Sequence, residues 1–179
     1  SDLHETDKKY VELGCMPSKN VYNTPELQVP DARQLRARST GGHLHFSLMD
    51  YEKEKIPQIV KALDAIIGVS CVAMFAKYDN PERRMYYGRA GEYRTPKHGL
   101  EYRTLSNAWL AHPVIMNVVF DVARVAVNFG LKDYMKLWKG SEEEIVRIIN
   151  SCDIKAAQQM MMDNKPIRSE EHTSELQSH

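Results

Sequence analysis

From His43 to Leu48 the chain alternates strictly. Leu44, Phe46 and Leu48 fall on one set of positions, and His43, His45 and Ser47 on the other. A period of two predicts a strand with one apolar face for the core and one face of two imidazoles and a hydroxyl. Gly41 and Gly42 lead into it and permit close backbone approach. At Ile56 the period changes. Ile59, Val60, Leu63, Ile66, Ile67, Ser70, Cys71 and Met74 follow helical spacing, which predicts a helix over 56–76 with Pro57 in its first turn and its Met and Cys as core filler. Further on, His112-Pro113 opens a helix carrying Val114, Ile115, Val118, Val119, Val122, Val125 and Ala126. It is expected to close at Asn128-Phe-Gly130, with the glycine as its cap. Ser141-Glu-Glu-Glu144 reads as a capping box for a helix through Asn150, and another helix is expected over 153–162.

Between the two long helices the pattern shortens. Asn80-Pro81 looks like a helix start, with Asn80 as N-cap and Arg83 and Arg84 following. Glu92 to Thr95 and Leu100 to Leu105 read as strands joined by the turn Pro96-Lys-His-Gly99, so a hairpin is expected, with Trp109 packed just beyond it. Upstream, Val11 to Cys15 suggests a short strand, and the turn-rich stretch from Pro17 to Pro30 reads as a connector.

Composition narrows the function classes. The chain has 179 residues, with 24 basic against 24 acidic side chains. The length suits one ordinary domain, and the zero net charge argues against a nucleic-acid binder that works by bulk electrostatics. Cys15, Cys71 and Cys152 are far apart and odd in number; they show no zinc spacing and suit a reducing compartment. The apolar run around Ala62 to Ala76 is interrupted by Asp64 and Ser70 and reads as too short to span a bilayer. No signal peptide is apparent. The last twelve residues, 168–179, resemble the translated read-through of a short-read sequencing adapter. They are expected to be a non-native, disordered tail, with a chain truncated at both ends, and their histidines are set aside as ligands.

Candidate chemistry lies on two stretches. His43 and His45 share a strand face, and Glu101 and Arg103 share another, as do Glu92 and Arg94. Imidazole and carboxylate together suit a divalent metal, and arginine forks suit carboxylate or phosphate. Each feature has a bland counterpart: solvated histidines on an open strand, and Glu92 paired only with a neighbouring arginine. Arg33, Arg36 and Arg38 ahead of the strand fit an anion or plain solvent equally well. A hydrolase built on the histidines alone is disfavoured, because no Ser or Cys nucleophile motif accompanies them.

These motifs resemble a known family. His43-Leu-His45-Phe-Ser47-Leu48 after a Gly-rich lead is similar to the His-x-His-x-Ser strand of the glutamine synthetase superfamily, and Glu101-Tyr-Arg103 to its Glu-x-Arg strand. Gly41-Gly-His-Leu-His45, Tyr87-Gly-Arg-Ala-Gly-Glu-Tyr-Arg94 and Gly99-Leu-Glu-Tyr-Arg-Thr-Leu-Ser-Asn107 are closer still to the phage-encoded COOH·NH2 ligases of type 2, which resemble glutamate–cysteine ligase. The likeness covers about residues 11 to 140. It implies an α+β fold: an antiparallel sheet with helices packed on one face, as part of a glutamine synthetase-like catalytic domain over residues 1–167. It also implies an ATP-dependent carboxylate–amine ligase that forms an amide through an acyl phosphate.

By position, the resemblance makes His43 and Glu101 ligands of one Mg2+ or Mn2+ ion. It puts His45, Ser47 and Arg89 near ATP, and Arg94 and Arg103 on the substrate or the transferring phosphoryl, with Arg83 as a further candidate. Small-molecule or peptide carboxylates and amines are the expected partners, with no nucleic acid and no membrane, in the host cytoplasm. The family's further metal carboxylates have no good match here. Asp2, Glu5, Asp7 and Glu12 fit poorly, so the chain alone is expected to hold half a metal site and to be inactive. Two other functions stay open: a guanidino kinase-like phosphotransferase on a related fold, and a non-catalytic binding module.

Overall fold

A four-stranded antiparallel sheet, in the order β1-β3-β4-β2, carries the alternating segment as one of its edges. A computed structural model describes residues 18–22, 41–79 and 81–165. Strand β1 is Lys19–Asn20, β2 Leu44–Ser47, β3 Glu92–Arg94 and β4 Gly99–Tyr102. The helices are α1 Asp50–Lys53, α2 Ile56–Leu63, α3 Val69–Phe75, α4 Pro113–Leu131, α5 Glu142–Ser151 and α6 Ile154–Asp163. This is the α+β arrangement expected from the sequence. The suggested strand at Val11–Cys15, Arg33, Arg36, Arg38, the Asn80 cap and the tail at 168–179 lie outside the described residues.

Alternation decides which side of the sheet is buried. Leu44, Leu100 and Tyr102 are buried towards the helices, with Phe46 packed beside them. Helix α2 packs on α4, and α3 on α6 and α5. Ile59, Leu63, Ile67, Ile145, Ile148 and Ile149 are all less than 2 % exposed. Each such side chain contributes roughly 1.5–3 kcal/mol relative to leaving it in water. This face packs the sheet on the helices, and the other face carries the polar side chains of β2 and β4, with Glu101 and Arg103 themselves buried.

The predicted helix over 56–76 is continuous, but it contains a π-helical stretch, Asp64–Gly68, between α2 and α3. At that point a fully buried aspartate meets the sheet. Asp64 Oδ1 accepts from the Tyr102 hydroxyl at 2.6 Å and from Thr104 Oγ1 at 3.2 Å. Burial pushes its carboxyl up to about 7, against the lowering effect of those donors. Gly68 gives the hydroxyl room, since a Cβ there would lie 3.0 Å from it.

Three expectations need correction. The stretch from Pro17 is more than a connector, because Lys19 and Asn20 pair with Tyr93 and Glu92 of β3. Gly130 is not a cap. It lies inside the last turn of α4, where a Cβ would come within 2.6 Å of Ile59 Cα on α2, and the left-handed residue is Asp133. The first apolar helix is also long enough, at 23 residues over Ile56–Tyr78, to cross a membrane by length and composition. So is Pro113–Leu131. In the first, 72 % of the apolar window is buried in the core; in the second, 28 % is, and Val114, Val118 and Phe120 are exposed.

Two helix starts read from the sequence carry side-chain caps, although at Ser141 only the serine half of the expected capping box is present and Pro81–Met85 is a 3-10 turn. Ser141 Oγ accepts from Glu144 N, and His112 Nδ1 accepts from Val114 N at the start of α4. Trp109 is buried and donates its indole N–H to Gly42 O, which ties the lead of β2 to the segment entering α4.

Candidate active site

Register builds the polar face of the sheet. His45 stands opposite Glu101 across β2 and β4, and Arg94 stands opposite Glu101 across β3 and β4. Three side chains thus form one row, Arg94–Glu101–His45. Two residues along each strand, His43 and Arg103 fall on the same face. Glu101 sits at the centre. Its Oε1 lies 3.0 Å from His43 Nδ1 and 3.1 Å from Arg103 Nη1, and its Oε2 is 3.8 Å from Arg94 Nη1. One ligand atom each from His43, His45 and Glu101 lies within 4.8 Å of the others. The His43 ring and the Glu101 carboxylate therefore converge, with both arginines beside them.

A second layer of charge lies next to this row. Glu92 is buried; it accepts from Gly88 N and pairs with Arg89 at 3.6 Å. The turn that presents Arg89 needs Gly88 and Gly91 at φ 73° and 79°, a region that costs L-residues strain. Asn150 of α5 pins the same turn by accepting from Ala90 N. Arg83 and Arg84, both buried, share Asp79, and both donate to Thr104 O. Arg84 also donates to Gly88 O. Five arginines (Arg83, Arg84, Arg89, Arg94 and Arg103) thus stand against three carboxylates (Asp79, Glu92 and Glu101). The region favours an anion.

His43 is held below its ordinary pKa, first by burial and next by the Arg103 guanidinium, with Glu101 opposing. It is therefore the neutral imidazole at pH 7, the form that can ligate a metal. Its Nε2 is buried without a hydrogen-bond partner among the described residues. His43 Nδ1 stands 3.0 Å from Glu101 Oε1, a hydrogen-bond distance, and with His45 the two side chains would offer imidazole nitrogen and carboxylate oxygen to one ion. The three donors fit a divalent ion. Two nitrogens and one carboxylate match Mn2+ or another transition ion better than Mg2+, which prefers oxygen.

The other predicted residues are dispersed around this centre. Ser47 ends β2 opposite Gly99, on the same face as His45 and exposed. Arg89 faces Glu92 rather than Glu101. Glu92 has the neighbouring-arginine role that the sequence allowed. Arg103 is 1 % exposed. Two residues were not singled out from the sequence. Tyr87 packs its ring 5.6 Å from the His43 ring and 5.2 Å from the Arg103 guanidinium carbon. His98, on the β3–β4 turn, lies 5.8 Å from His45 ring to ring. The signal for Tyr87 was its place at the head of the Tyr-Gly-x-Ala-Gly stretch; His98 was visible only as a turn residue.

The model of the family described as phage phiEco32-like COOH.NH2 ligase-type 2 matches residues 28–165, most of the chain. No curated protein and no solved structure matches it.

Proposed function

The chain belongs to the phage phiEco32-like COOH.NH2 ligase-type 2 family, and from that premise we propose that the polar face of the sheet is the place where a carboxylate is activated by ATP and joined to an amine. The family's name is that of a carboxylate–amine ligase. The observation that carries the finer reading is the convergence of His43, His45, Arg94 and Arg103 on Glu101.

In this reading the γ-phosphoryl group passes from ATP to a substrate carboxylate oxygen, giving an acyl phosphate and ADP. The amine nitrogen then attacks the acyl carbon, the bond from that carbon to the phosphate oxygen breaks, and phosphate leaves with the electron pair. The amine's proton is lost to solvent. Such transfers depend on charge stabilisation more than on covalent help from the protein. His43, His45 and Glu101 would hold a divalent ion, Mn2+ better than Mg2+, which would supply positive charge to the phosphate oxygens. Arg94, about a quarter exposed at its side chain, meets the transferring group. Arg103, behind it, balances Glu101. Arg89 and Ser47 bound the nucleotide side. The carboxylate and amine are small molecules or peptides, and the host cytoplasm supplies the ATP.

Turnover also calls for further carboxylates that the resemblance places ahead of β2, so the test on this chain is binding. Calorimetric titration with ATP is expected to give an isotherm that requires Mn2+ and that Glu101→Gln abolishes. ATP binding that ignores Mn2+ and Glu101 would sink the assignment. Phosphorylation of a guanidino acceptor without amide formation would favour the phosphotransferase, and no nucleotide binding at all would favour a non-catalytic module.

A further inference from the structure

Glu101 is placed where an arginine ought to quench it. Arg103 lies two residues along the same strand face, and an arginine next to a carboxylate normally takes both oxygens in a planar fork. That does not happen. The hydrogen bond runs from Nη1 to Oε1 at 3.1 Å, while Arg94 stands off Oε2 at 3.8 Å, beyond hydrogen-bond reach. Arg103 thus leaves Oε2 to a looser ion pair with Arg94.

Tyr87 accounts for this. Its ring lies against the Arg103 guanidinium, 5.2 Å from ring centre to guanidinium carbon, a distance at which the ring face attracts the cation. The same ring is tilted at 50° against the His43 imidazole at 5.6 Å. Gly41 completes the seat. A Cβ there would meet the Tyr87 hydroxyl oxygen first and come within 2.8 Å of Tyr87 Cε1 and 2.9 Å of His43 Nε2, so the phenol and the imidazole occupy room that only glycine leaves. Glu101's two nearest neighbours are thus both packed on one aromatic side chain.

We propose that Tyr87 is a positioning residue of the site: its ring fixes the Arg103 guanidinium in a one-point contact with Glu101 and sets the His43 imidazole, which keeps the guanidinium from closing over both carboxylate oxygens so that Glu101 can share a divalent ion with His43. The ring performs this role and the hydroxyl does not. The inference rests on the ion-binding reading of the polar face.

The test compares the parent chain with Tyr87→Phe and Tyr87→Leu. Mn2+ affinity is read by calorimetry, and the Arg103 Nε–H resonance by 15N NMR, assigned with Arg103→Lys. Tyr87→Phe is expected to bind Mn2+ within about twofold of the parent and to keep the ring-shifted Arg103 resonance. Tyr87→Leu is expected to lose roughly tenfold in Mn2+ affinity, about 1.4 kcal/mol, and to lose that ring shift while its dispersed amide spectrum shows the fold intact. If Tyr87→Leu fails to fold, Gly41→Ala serves instead, since it keeps the phenol but displaces it, and it should weaken Mn2+ to a similar degree. Parent-like Mn2+ affinity in Tyr87→Leu or Gly41→Ala overturns the positioning role and leaves the ion site standing. Equal losses in Tyr87→Phe and Tyr87→Leu overturn it too, by assigning the effect to the hydroxyl. Absence of Mn2+ binding in the parent overturns both this inference and the reading beneath it.

Discussion

Replacing Asp64 by asparagine removes a charge from the most deeply buried acid among the described residues and should make the protein's stability less dependent on pH. Asp64 is 0 % exposed, and its carboxyl is pushed from 3.8 up to about 7 by burial. An unfolded aspartate keeps its ordinary value, so between these two values the folded chain binds the extra proton. Stability from this group is therefore complete below about pH 4 and is lost as pH rises through about 7. At 1.36 kcal/mol per unit, the parent should lose on the order of 2–3 kcal/mol from this group between pH 5 and pH 8.

Asparagine keeps an oxygen for Tyr102 and Thr104, whose bonds to Oδ1 hold β4 against the helix. It puts an amide N–H2 on a carboxyl group that the Gly91 N–H and the Tyr22 hydroxyl also face, so donor meets donor, at a cost of about 1–3 kcal/mol. Asp64→Asn should therefore be the less stable protein at pH 5 and should draw level with or overtake the parent at pH 8. Urea unfolding of both proteins at each half unit of pH measures the difference, and other titrations cancel in it. A parent-minus-variant difference that stays constant from pH 5 to pH 8 would refute the buried-charge argument.

Other substitutions test neighbouring claims. Glu101→Gln leaves Arg103, 1 % exposed, without its charge partner, and should cost about 3 kcal/mol in unfolding free energy, or roughly 6–12 °C in Tm; an unchanged Tm would show that the pair is not buried as described. Gly130→Ala gains about 1 kcal/mol of helix propensity. It also drives a methyl to within 2.6 Å of Ile59 Cα, and because backbone cannot easily yield, overpacking of about 1–3 kcal/mol wins; a stabilised variant in a denaturant titration would contradict the close approach. Ser141→Ala removes the oxygen that caps Glu144 N and should cost about 1 kcal/mol, seen as a lower unfolding midpoint with an unchanged m-value.

The parts of the fold that could be read from the sequence are those whose signals are local. Alternation at 43–48, helical spacing at 56–76 and 112–130, and the Ser141 cap each depend on neighbours within a few residues. Strand β1 could not be read this way. Two residues carry no period, and Lys19–Asn20 is a strand only because β3 lies beside it. The π-helical stretch depends on where Asp64 meets Tyr102, 38 residues away, although a lone aspartate in an apolar helix was a visible break in the pattern. Gly130 misled because a glycine near a helix end serves equally as a cap or as a space for a neighbouring helix, and only the position of Ile59 decides.

The same distinction runs through the site. That His43 and His45 share one strand face, and Glu101 and Arg103 another, was legible because period two assigns their faces. Their convergence on one carboxylate required the register of three strands. Tyr87 was not legible, since nothing in a sequence says which aromatic ring will lie on which guanidinium.

The measurement that bears most directly on the central claim is pulsed electron paramagnetic resonance of the chain loaded with one equivalent of Mn2+. An ion held by His43, His45 and Glu101 is expected to show coupling to two imidazole nitrogens, one removed by His43→Asn and the other by His45→Asn. Mn2+ bound without nitrogen coupling, or coupled identically in both variants, would place the ion elsewhere and leave the converging side chains as an ion-pair network without an ion to hold.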